Sequence, residues 1–169
     1  GGPSPAASIV LLQRLVVIAI VCAAGAAIAW TVWPGRMSND TLTQLASVRT
    51  GTYTDWHAGL LLVLWRPFWL LGAGPAWITL LGAVCFIAGL YGTARLVLGR
   101  AASLVAALAI TATPMVLGYV GYLGRDLWFL AFFVATVACL GLAVRSSGRR
   151  ARLVGIVGGL AFIWLMMAA

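Results

Sequence analysis

Charge is nearly missing from this chain: only 8% of its 169 residues are charged, with no Lys and no Glu, leaving eleven Arg, three Asp and one His. A soluble domain carries about a quarter charged residues, so a shortage of this size excludes one. Disorder needs low hydrophobicity with high charge, and 63% of this chain is hydrophobic. Cysteine is scarce as well. Cys22, Cys85 and Cys139 each lie inside an apolar run without metal-ligand spacing, and they read as small packing residues. There is no Walker loop and no HExxH, and nothing in the spacing of Ser38, His57 and Asp55 supports a hydrolytic triad. The net charge of +8 does not point to nucleic acid, because the Arg residues stand between hydrophobic runs rather than in a patch.

What is present is apolar length. A spanning helix needs about 20 mostly apolar residues, and five stretches qualify: 15–33, 76–94, 101–120, 127–144 and 153–169. The first is followed by more spans and lacks a small-x-small cleavage site, so it reads as a membrane helix rather than a signal peptide. The stretch 58–73 is interrupted by Arg66-Pro67. Arg near the middle of a lone span is costly, and Pro there removes a backbone hydrogen bond. A helix over 56–71 is therefore expected to lie at the interface.

The expected fold class is all-α integral membrane, with five transmembrane helices and two short interfacial helices in the loop 34–75. The first interfacial helix covers 40–50, with Leu42, Leu45, Ala46 and Val48 as its apolar side and Gly51 as its stop. Five spans with a cytoplasmic N-terminus put Arg14, Arg95, Arg100, Arg145, Arg149, Arg150 and Arg152 on the cytoplasmic side, as the positive-inside rule asks. Arg36, Arg49, Arg66 and Arg125, every Asp and the His fall on the opposite side. An Ala-, Gly- and Arg-rich chain reads as bacterial, so the expected location is the bacterial plasma membrane.

Ionisable groups near a membrane surface are functional candidates by default. Asp40, Asp55 and Asp126 also each stand just ahead of an expected helix, where an N-cap belongs, although Ser38 and Asn39 compete for the first of these positions. His57 suits a hydrogen bond to a phosphate or a sugar. Arg36 and Arg125 suit a bidentate clamp on a lipid phosphate or a headgroup anchor. Trp30, Trp33, Tyr53, Trp56, Trp65, Trp69, Tyr119, Tyr122 and Trp128 read as an aromatic belt.

Three segments carry a resemblance: Pro-Gly-Arg-Met-Ser-Asn-Asp at 34–40, Gly-Thr-Tyr-Thr-Asp-Trp-His at 51–57 and Gly-Tyr-Leu-Gly-Arg-Asp at 121–126. With an Asp early in the first outer loop and another between the third and fourth spans, the chain resembles the N-terminal half of polyprenyl-phosphate-sugar-dependent membrane glycosyltransferases of the GT-C superfamily. It departs from that pattern in lacking a second acid beside Asp40 and in having Ala58 where relatives have Pro.

The resemblance implies an inverting transfer of sugar from a polyprenyl-phosphate donor to an extracytoplasmic glycan or lipid acceptor. Asp40 would be the catalytic base, with Asp126, Arg125, Arg36, His57 and Asp55 binding substrate and phosphate. It also implies a divalent cation, Mg or Mn, on Asp40 and Asp126. The chain is then expected to be the N-terminal part of a longer membrane module, partnered by the bilayer, by the remainder of that module or by another membrane subunit. The alternative is a non-catalytic multispan accessory subunit or lipid-binding scaffold.

Overall fold

The computed structural model describes residues 5–31, 37–52, 59–72, 74–120 and 125–168. The described residues are helical and contain no strand, as expected for an all-α membrane protein. The helices are α1 (Pro5–Thr31), α2 (Asn39–Thr50), α3 (Gly59–Leu70), α4 (Ala76–Ala94), α5 (Arg100–Thr111), α6 (Pro114–Val120), α7 (Arg125–Arg145) and α8 (Arg149–Ala168). Four of them, α1, α4, α7 and α8, are long and apolar enough to cross a membrane. The protein is a multi-pass membrane protein.

The expected span at 76–94 coincides with α4. The first helix starts earlier than the span expected at 15–33, because nothing between Pro5 and Thr31 breaks a helix and Pro5 is tolerated in the first turn. The third expected span, 101–120, is bent: α5 and α6 meet at 79°. Pro114 causes the break, since its ring removes an N–H and disfavours helical geometry at the residue before it. Thr113 closes α5 through its Oγ1, which donates to the Ile110 carbonyl at 2.8 Å, and its own carbonyl accepts from Leu117 to start α6.

Glycines set the packing of α4 on α7. A Cβ at Gly82 would meet Leu127, one at Gly89 would meet Val134, and one at Gly92 would meet Ala138. The contacts advance together along both chains, so α4 and α7 run parallel. The α5–α6 segment must therefore carry the chain from the C-terminal end of α4 back to the end where α4 began, which makes the bent pair a broken fifth crossing. Helix α8 returns antiparallel to α7, with Gly155 against Ala143 and Gly159 against Leu140. Helix α1 packs on α4, with Gly25 under Val84.

Helices α2 and α3 form a hairpin over one end of this bundle. With 12 residues, α3 is about 18 Å long and too short to span. Its Leu61, Leu62 and Trp65 join Val48 of α2, Ile78 of α4 and Trp128 and Phe132 of α7 in one buried cluster. The outward residues Val63, Leu70 and Leu71 are exposed and apolar, which suits an interfacial helix. Trp65 and Trp128, expected in the aromatic belt, are core residues instead, because the hairpin folds back over the starts of α4 and α7.

Candidate functional site

The hairpin gives the bundle two chemically different ends. At the far end lie Arg14 in α1, Arg95 after α4, Arg100 at the start of α5, Arg145 at the end of α7, and Arg149, Arg150 and Arg152 in the first turn of α8. Arg100 donates to the Gln13 side chain, tying the first half of α1 to the start of α5. At the hairpin end lie both described carboxylates. Asp40 is in the first turn of α2 and Asp126 in the first turn of α7, two residues before the Trp128 that shares a buried cluster with Val48 of α2.

Local sequence explains how Asp40 is presented. Ser38 has extended backbone and its Oγ accepts the Thr41 N–H at 3.1 Å, so Ser38 is the N-cap of α2. The capping role open to Asp40 is therefore already filled. Asp40 projects from the first turn, where the helix dipole favours an anion. It is exposed, and no hydrogen bond or ion pair engages it among the described residues. Asp126 is likewise exposed, and it lies inside α7 rather than ahead of it.

Arg36, Asp55 and His57 lie outside the described residues, as does the side chain of Arg125, whose backbone begins α7. The structure thus brings Asp40 and Asp126 to one end of the bundle. A cation such as Mg takes near-octahedral oxygen coordination. Among the described residues no group of three or more His, Cys, Asp or Glu stands together. Two exposed carboxylates do not by themselves make that donor set, and no step below is routed through a cation.

Helix α2 is rotated from the apolar side expected of it: Val48 is buried and Leu45 packs partly on the same cluster, but Leu42 and Ala46 are exposed and Thr41, Gln44 and Ser47 are buried. The rotation is set by its C-terminal half. Gly51 caps the helix in the left-handed region at φ 74°, donating to Ser47 O at 2.8 Å. The Arg66 guanidinium of α3 occupies the space a Gly51 side chain would take. Arg49 lies 5.2 Å over the Trp69 ring.

Three buried polar atoms have no hydrogen-bond partner among the described residues: Gln44 Oε1 on α2, Trp65 Nε1 on α3 and Thr79 Oγ1 on α4. An unpaired buried polar group costs about 1–3 kcal/mol, so each marks a place where a hydrogen-bonding partner belongs. Gln44 stands four residues after Asp40, on the same stripe of the helix. Reading the sequence for apolar sides passed over this polar face. The signal lay in the three- and four-residue spacing of Thr41, Gln44 and Val48. Comparisons with protein-family models, with curated proteins and with solved structures give no match.

Proposed function

We propose that the protein is a bacterial membrane glycosyltransferase that moves a sugar from a polyprenyl-phosphate donor to an extracytoplasmic glycan or lipid acceptor, with inversion. What supports this reading is that Asp40, which neither caps α2 nor engages a partner among the described residues, and Asp126 both stand in first helical turns at the hairpin end of the bundle. The seven arginines at the other end support a cytoplasmic location for that end under the positive-inside rule. The hairpin end would then face outward.

In the proposed step Asp40 takes the proton of an acceptor hydroxyl. The oxygen attacks the anomeric carbon and forms the new glycosidic bond. The bond from that carbon to the donor phosphate oxygen breaks, and its electron pair leaves with the polyprenyl phosphate. Arg36, Arg125 and His57 supply donors where negative charge grows on the leaving phosphate. Asp126 binds the donor phosphate region or orients Arg125, and Asp55 adds to substrate binding. A positioned general base contributes typically about 10²–10⁴-fold.

The test is Asp40→Asn, assayed by release of polyprenyl phosphate from a polyprenyl-phosphate-linked sugar. A fall of about 10²–10⁴-fold at unchanged unfolding temperature is expected. Full activity in this variant would reject the base, and no turnover by the unaltered protein would leave the accessory-subunit reading. The apolar outer faces of α1 and α8, whose spans are each 11% buried, are what such a subunit would turn toward lipid or partner.

A further inference from the structure

Beside the hairpin, Cys22 and Ala26 of α1, Phe68 of α3 and Trp77, Leu81 and Val84 of α4 line an open groove of about 460 Å³. We infer that this groove holds one acyl chain of an anionic bilayer phospholipid, whose headgroup phosphate is held by Arg49. The inference is independent of sugar transfer, since it concerns binding alone.

The groove wall is apolar throughout, and it opens between helices that themselves sit in lipid. Helix α1 has no extensive partner but α4, so no other part of the described chain fills the gap. A lipid chain restores the dispersion contacts that an empty groove forfeits.

Charge selects the headgroup. Phe68 lines the groove, and its neighbour Trp69 carries the Arg49 guanidinium over its ring. Arg66 lies in the same turn of α3, set against the C-terminal end of α2. Among the described residues neither arginine is paired with a carboxylate. Asp40 is nine residues away along α2, about 13 Å. A cation without a carboxylate partner among the described residues, held on the residue next to Phe68 of the groove wall, matches a phosphate that carries net negative charge and an apolar tail. Trp77 on the groove wall and Trp30 in the last turn of α1 are both well exposed, which marks the headgroup depth at this end.

The test uses the purified full chain and native mass spectrometry with phosphatidylglycerol, phosphatidylcholine of the same acyl chains, and a polyprenyl phosphate. One tightly retained phosphatidylglycerol is expected, preferred over phosphatidylcholine by about five- to tenfold. Arg49→Gln should abolish the preference and Arg49→Lys should keep most of it. Ala26→Phe, which fills the groove, should lower retention of both phospholipids, and Arg145→Gln at the opposite end should change nothing. Unfolding temperatures in lipid-free detergent identify any variant that fails to fold, and Arg49→Lys, which keeps a cation over Trp69, separates loss of charge from loss of that contact. Equal retention of the two phospholipids, or unchanged retention in Arg49→Gln, would overturn the inference. So would a polyprenyl phosphate that outcompetes phosphatidylglycerol in an Arg49-dependent way, which would assign the groove to a different lipid.

Discussion

The Arg66 guanidinium of α3 stands where a side chain on Gly51 of α2 would be. One glycine thus performs two tasks: its left-handed backbone ends α2, and its missing side chain admits the arginine that seats α3. A cation here also faces the negative end of the α2 dipole. Gly51→Ala is expected to lose about 1–2 kcal/mol from backbone strain alone, and more from displacing Arg66. Thermal unfolding checks this against Gly99→Ala, where an added Cβ meets nothing within 4 Å. Equal stability of the two variants would contradict the contact.

Capping and chemistry separate cleanly on α2. Ser38→Ala should cost about 1 kcal/mol of stability, because the Thr41 N–H loses its acceptor. Asp40→Asn should leave stability nearly unchanged, since Asp40 engages no partner among the described residues. The measurement is the unfolding temperature of both variants. A large loss in Asp40→Asn with none in Ser38→Ala would reverse the assignment of the cap.

Close approach of α4 and α7 depends on Gly89, where a Cβ would meet Val134 Cγ2 at 2.5 Å and the backbone of Ala135 at 3.1 Å. Gly89→Leu should destabilise the bundle by about 1–3 kcal/mol or more through overpacking. Gly118→Ala lies in open space within α6 and should be neutral or stabilising by up to about 1 kcal/mol. Thermal unfolding in detergent distinguishes them.

The polar face of α2 carries an energetic signature. Gln44 is 4% exposed and its Oε1 has no partner among the described residues. Gln44→Leu should therefore raise the unfolding temperature, by an amount corresponding to about 1–3 kcal/mol, while lowering turnover of the lipid-linked sugar. A lower unfolding temperature would mean that the Gln44 carbonyl is satisfied in the membrane.

Much of the architecture was legible from residue order. Hydropathy placed α4 at 76–94 because that segment carries no charge and no internal breaker. The scatter of eleven arginines indicated an odd number of crossings, and the parallel course of α4 and α7 is consistent with five. Gly51 was recognisable as a stop because few residues other than glycine tolerate the left-handed cap. Ser38 was a visible competitor for the α2 cap.

Chain order alone specified how long each apolar segment is and which charges lie beside it, because the cost of burying charge in lipid acts on each segment separately. Tertiary packing decided the rest. The bend at Pro114 was averaged away in a hydropathy window, yet it sets where Val120 delivers the chain to α7. The rotation of α2 was set by Arg49 on Trp69 and Arg66 on Gly51, contacts between segments that no local periodicity encodes. That rotation turned Leu42 outward and buried Gln44. A helix's own pattern offers several faces for burial, and only the neighbours it meets choose among them.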